Sequence, residues 1–198
     1  MSPRSAEVNR QIRQQQKDRI LAAARDLFAR HGFSATKISD IAARAGVSHG
    51  LVHHYFGSKA NVFEALIAQV MRSASVLPRE ALDRAGTPLE RLTWFVETLL
   101  AGVTASPESF FLVIEASANA SVPASVKRLV ADKGAASTRL IAKIIRQGQS
   151  KGELRAGDPE TLSTHLFALA EGLAMQQLAA EPHRVVADAD IVLGMLRR

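Results

Sequence analysis

Apolar residues recur every three or four positions along most of the chain, and an alternation of period two is sustained nowhere; the pattern predicts helices throughout and no sheet. Ile20, Ala24, Leu27 and Phe28 line one side of a stretch from about Gln16 to His31, with Arg25, Asp26 and Arg30 opposite. Gly32 should end that helix, and Phe33 should fold back onto it. Ile38, Ile41, Ala42 and Ala45 mark a short second helix closed by Gly46. Ser48 caps a third, running to about Phe56 with Val52 and Phe56 inward, and Ser58 caps a fourth that carries Val62, Phe63, Leu66 and Val70. Pro78 and mixed charges then place a domain boundary loosely at 72–86.

Further on, Thr87-Pro88-Leu89-Glu90 reads as a capping box with proline at the first helical position, opening a helix to about Ala105. Ser106-Pro107-Glu108 opens another to about Asn119, and Pro123 begins a long one to Gln149 with Val126, Leu129, Val130, Ile141, Ile144 and Ile145 inward. Asp158-Pro159-Glu160 starts a helix to about Ala179, and Ala187 to Leu196 forms the last. The expected fold is all-α, with an N-terminal three-helix module followed by a larger helical domain. Residues 1–15, polar, Gln-rich and without an apolar face, should form a flexible arm; 16–71 hold the first domain and its linking helix, and 72–198 the second.

Two short helices joined at Gly46, with Val47 plugging the corner, have the layout of a helix-turn-helix, whose second helix enters the major groove of DNA. With Val52 and Phe56 turned inward, Ser48, His49, Gly50, Leu51, His53, His54 and Tyr55 are left for DNA. Gly50 lets the backbone approach the duplex. Leu51 suits a thymine methyl, while His49 and His53 can donate to guanine or adenine acceptors. Tyr55 and His54 are assigned to phosphates, as are Thr36, Lys37 and Lys59 at the neighbouring helix starts; the alternative to a merely frayed arm at 1–15 is one whose Arg10 and Arg13 reach phosphates or the minor groove beside this site. Because histidine titrates near neutrality, operator affinity is expected to depend on pH there.

Charge sharpens this reading. Residues 1–60 hold ten Lys and Arg against four Asp and Glu, so the whole formal excess of +6 lies in that segment, and the rest of the chain is neutral. A basic module joined to a neutral one fits phosphate binding by the first only. Cysteine is absent, which excludes disulfides and thiolate metal sites. No uncharged apolar run approaches the ~18 residues of a membrane span, and the N-terminal residues lack the apolar core of a secretory signal; a cytoplasmic protein with no membrane contact is expected.

Gly46-Val47-Ser48-His49-Gly50 also matches the nucleophile elbow of hydrolases, but that motif needs a strand before the serine and this stretch reads as helix. Ser34-Ala35-Thr36-Lys37 matches a second catalytic pattern with only two fixed positions. His49 and His53 have the spacing of a zinc helix but no evident third ligand. No catalytic residue, metal or cofactor is therefore expected. A hydrolase using Ser48 and a DNA-binding protein without sequence preference are the alternatives.

Thr36, Ile41, Ala42, Ala45, Gly46, Val47, Ser48, Gly50, Phe56 and Lys59 together resemble the TetR family of bacterial transcriptional repressors, over about Gln16 to Leu66. The chain departs from the usual family order of two aromatics and a histidine before the phenylalanine, having His53, His54 and then Tyr55. The resemblance implies a helical homodimer that binds a near-palindromic operator and releases it when a small-molecule effector enters the C-terminal domain. Candidate effector contacts are the aromatic Trp94, Phe95, Phe110 and Phe111 and the embedded polar Glu115, His165 and Gln176. An inward Glu115 would favour a cationic or hydrogen-bond-donating effector. The candidate dimer surface is the stripe Leu162, Leu166, Leu169 and Leu173, with Val192 and Leu196 on the last helix, forming a four-helix bundle across a twofold axis.

Overall fold

Caps and glycines set most helix ends where the residue pattern places them. In a computed structural model that describes residues 3–179 and 187–197, with side chains from Glu7 onward, the helices are α1 (Pro3–Ala35), α2 (Ile38–Ala45), α3 (His49–Phe56), α4 (Lys59–Asp83), α5 (Pro88–Ala105), α6 (Pro107–Ala118), α7 (Ala124–Ser150), α8 (Pro159–Ala179) and α9 (Ala189–Gly194). Ser48 Oγ accepts from the Leu51 amide and Ser58 Oγ from the Asn61 amide, both at 3.2 Å. The expected capping box is complete: Glu90 N donates to Thr87 Oγ1 at 3.2 Å and Thr87 N to Glu90 Oε2 at 2.7 Å. Asp158 accepts from both the hydroxyl and the amide of Thr161, which hold its carboxyl below the usual carboxylate range. Among the described residues no strand forms; one isolated bridge pairs Leu154 with Arg197.

Two expectations are corrected. The segment placed in a flexible arm is helical from Pro3 and continuous with α1, while residues 1 and 2 lie outside the described residues. Its Gln, Arg and Glu residues are good helix formers even without an apolar face, and Arg10–Glu7 and Gln14–Asp18 pair along the helix. The boundary expected at 72–86 falls mostly within α4, which runs through Pro78 to Asp83.

The hydrophobic residues form two clusters, and these do not follow the chain order. The first gathers Ile20, Phe28, Ile41, Val52, Phe63 and Leu66 with Leu112 and Ala116 of α6 and Val126 and Val130 of α7. The second gathers Leu92, Phe95 and Val96 of α5 with Ile141, Ile144 and Ile145 of α7, Leu166 and Ala170 of α8, Val192 of α9 and Leu196 just beyond it. A three-helix module of this size leaves apolar surface that it cannot cover alone; α6 and the first half of α7 cover it here. At the middle of the first cluster Phe63 meets Phe28 edge-on at 4.9 Å and Phe33 at 5.0 Å.

Candidate nucleic-acid interface

The turn between α2 and α3 is closed by Gly46 in the left-handed conformation (φ 63°), with Val47 N donating to Ala42 O at 3.0 Å. Arg19 reaches over from α1 and donates to Ala45 O at 2.8 Å, satisfying a carbonyl that α2 leaves open. Val52, fully buried, anchors α3 to the core. Ser48, His49, Gly50, His53 and His54 are exposed, and Leu51 is half-buried. A Cβ built on Gly50 would meet nothing within 4 Å, so nothing inside the molecule requires a glycine there. The bare backbone serves the outside.

His53 Nδ1 lies 2.7 Å from Gly57 O, a geometry that requires the proton on Nδ1. A neutral ring then presents Nε2 as an acceptor, where the sequence reading expected a donor. An acceptor of this kind complements an amino group such as those on the adenine and cytosine edges. The His49 ring sits 4.7 Å from that of His53.

Three side chains assigned to phosphates make hydrogen bonds within the protein. Thr36 is 2% exposed and its hydroxyl donates to Gly32 O at 2.8 Å. Tyr55 donates to Gln16 of α1, with Lys17 Nζ 5.8 Å from its ring centre. Lys59 Nζ donates to Phe33 O at 2.8 Å and Ser34 O at 3.1 Å, above the Phe33 ring. The reason is shared by Thr36 and Lys59: α1 breaks at Gly32, its last carbonyls lack partners, and nearby donors turn toward them. Lys37 remains exposed.

The same break receives a carboxylate from the second domain. Glu115 of α6 accepts from the Phe33 amide at 2.9 Å and from Asn119 Nδ2 at 2.8 Å. It is therefore turned toward α1 and is not part of an aromatic pocket. Of the other candidate effector residues, Trp94, Phe95 and Phe110 share the second hydrophobic cluster. Phe95 is buried against Phe167, and Trp94 carries the Arg84 guanidinium 4.6 Å over its ring beside an open surface cleft. Phe110 and Phe111 are half-buried, while His165 and Gln176 are exposed on α8.

A residue that the sequence reading passed over is Glu171, half-buried on α8 one turn beyond Phe167. Its signal was legible as the one acid within the otherwise apolar and neutral run from Leu162 to Leu178. Burial pushes its carboxyl above the usual carboxylate range. A raised folded-state pKa means that stability is fully present below the unfolded value and is lost as pH rises through the folded one. Glu171→Gln should remove that loss, so the variant's melting temperature should exceed the parent's above that window and match it near pH 4. Parallel melting curves from pH 4 to 8 check this; a constant offset would refute it.

The stripe expected at the dimer surface is corrected in part. Leu166, Val192 and Leu196 are 5%, 4% and 6% exposed and belong to the second core, while Leu162, Leu169 and Leu173 are half-buried. The inward side of α8 is Ser163, Leu166, Ala170 and Ala174. The large apolar side chains that stand outward are Met175 and Leu178 on α8 and Ile191 and Met195 on α9. Among the described residues no single helix is long and apolar enough to cross a membrane.

A basic helix-turn-helix carried on a larger helical body is the architecture of a DNA-binding transcriptional regulator. Residues 20–66 match the bacterial regulatory proteins of the tetR family, and residues 88–194, more than half the chain, match the C-terminal domain of BetI-type transcriptional repressors. The chain belongs to the TetR family of bacterial transcriptional regulators. It is 27% identical to the regulator HbdR of Aromatoleum sp. over 90% of this chain and 77% of that protein. It is 29% identical to UidR of Escherichia coli over 69% of this chain and 67% of that one. Among solved structures, a Saccharomonospora viridis regulator in complex with choline is 26% identical with a TM-score of 0.74, covering 90% of this chain and 92% of that one. The SmeT–triclosan complex shares the fold at a TM-score of 0.73 and 21% identity, covering 93% of this chain and 92% of that one.

Proposed function

We propose that the protein is a repressor that binds a near-palindromic operator as a homodimer, each subunit laying α3 in a major groove with Ser48, His49, Gly50, Leu51, His53 and His54 toward DNA. Lys37 contacts phosphate beside them. One observation carries the reading: an exposed polar face with a bare glycine backbone stands on a buried Val52 anchor, within the segment that holds all the excess charge. The dimer forms through the outward sides of α8 and α9, where Met175, Leu178, Ile191 and Met195 are exposed. Two reading helices then stand about 34–36 Å apart, matching half-sites one turn away.

The effector enters the second domain. With Glu115 occupied by the Phe33 amide, a half-buried carboxylate that can face a cationic or donor group on the effector is Glu171. A tenfold release of operator requires the effector to prefer the released conformation by about 1.4 kcal/mol. The hydrolase alternative has little support: Ser48 Oγ accepts the Leu51 amide at the start of a helix, and the residues before it are helix and turn.

Selecting duplexes from a random pool with the purified protein tests the reading. A near-palindrome with two half-sites about ten base pairs apart is expected, bound at least ~10³-fold tighter than random DNA. Leu51→Ala and His49→Ala should change which sequence is selected, with stability moved by less than about 1 kcal/mol for His49, which is exposed, and somewhat more for the half-buried Leu51. Equal affinity for selected and random DNA would leave a protein that binds without sequence preference.

A further inference from the structure

We propose that the N-terminal turns of α1 form a second DNA-contacting surface, a basic helix face lying along the phosphates that flank each half-site. The proposal rests on α3 being the reading helix. Tyr55, in the last turn of α3, meets Gln16 and Lys17, so residue 16 marks where α1 passes the end of that helix. Beyond this point every side chain from Glu7 to Gln15 is exposed, yet the helix continues to Pro3. At about 1.5 Å per residue it projects roughly 20 Å past α3. The projection buries nothing within the molecule.

Its chemistry is arranged by side. Arg10, Arg13, Lys17, Ile20 and Ala24 follow one another at spacings of three and four, so they form one stripe along α1. Ile20 and Ala24 are fully buried in the first core, against which α2 and α3 also pack. The stripe therefore changes from apolar to basic where the core ends, and its arginines are aimed to the same side of α1 as the helix-turn-helix. Arg10 pairs with Glu7 of the same exposed surface, an interaction of small value that a phosphate can replace. Val8 and Ile12 stand exposed on the opposite side, 52% and 46% accessible, and would be the contacts if a second protein copy were the occupant. The basic stripe and its continuity with α3 favour DNA.

The experiment uses the full chain, with Arg10→Ala/Arg13→Ala and the charge-retaining Arg10→Lys/Arg13→Lys, on the duplex selected from the random pool and on a random duplex of equal length. Losing about two phosphate contacts in each of two subunits should flatten the slope of log K against log salt by about 3 to 4 for the alanine pair. Affinity should fall by about 10- to 100-fold on both duplexes alike, leaving their ratio unchanged, because phosphates carry no sequence. Hydroxyl-radical protection outside the half-sites should disappear, and the lysine pair should restore slope and protection. An unchanged slope and footprint would overturn the proposal. So would a Val8→Ser/Ile12→Ser variant that alters the oligomeric mass while the alanine pair leaves DNA binding untouched, since the helix would then dock on protein. Leu51→Ala separates the two failures: if it leaves sequence preference unaltered, the α3 reading falls; if it shifts preference while the arginine pair changes nothing, only the flanking contact falls.

Discussion

Phe63→Ala should be the most damaging single truncation in the DNA-binding half, costing about 3–5 kcal/mol. Phe63 is fully buried on α4 and touches Phe28 and Phe33 of α1 at ring-centre distances of 4.9 and 5.0 Å. Its removal strips two aromatic contacts and leaves a void between the first helix and the linking helix. The same cluster contains Leu112, Ala116, Val126 and Val130, so the cavity opens beneath α6 and α7 as well as beneath the helix-turn-helix. Urea unfolding followed by helical circular dichroism reads the loss, and operator binding should fail at temperatures where the parent still binds. Phe63→Leu should recover part of the stability by refilling volume. A cost under about 1 kcal/mol for the alanine variant would mean that the site collapses around the gap.

Gly32→Ala follows in size and reaches across the molecule. Gly32 has φ 73° and ψ 172°, a region essentially closed to residues with a Cβ, where strain costs about 1–3 kcal/mol. An added Cβ would stand 3.0 Å from Glu115 Oε1. The carboxylate must then give by a few tenths of an ångström, which weakens its bond to the Phe33 amide; a buried donor that loses its partner altogether costs about 1–3 kcal/mol. The variant should thus be destabilised by both effects, and exchange of the Phe33 amide should quicken. Glu115→Ala alone should give the second effect and spare the first. Combined with Gly32→Ala it should add less than it does alone, a coupling of about 0.5–3 kcal/mol measurable by a double-mutant cycle. Full additivity would show that the two residues act separately.

The reading helix was legible because its signals are local. Gly46, Ser48, Val52 and Gly57 each act within a few residues, through a left-handed turn, a cap, an apolar anchor and a stop. The capping box at Thr87, the prolines at the starts of α5, α6 and α8 and the lone aspartate before α9 are likewise short-range devices. The role of Thr36, Tyr55 and Lys59 was not legible. All three are polar residues in or beside the helix-turn-helix, and only their distance to the open carbonyls of α1 or to Gln16 pairs them within the protein. The division of the α8 leucines was not legible for a related reason: a helix with leucines on more than one side does not state which side meets the core, and packing against α5, α6 and α7 turned Ser163, Leu166, Ala170 and Ala174 inward.

Residue order alone thus determined an all-helical chain, a helix-turn-helix with its charge excess beside it, and nearly every helix start, since spacing, caps and glycine conformations operate over one or two turns. Tertiary structure decided how the helices share their interiors: α7 divides between two cores, α6 closes over the first, and Glu115 reaches the Phe33 amide across 82 residues of sequence. Contacts of that separation depend on which apolar faces remain uncovered once the local elements have formed, and no window along the chain contains that information.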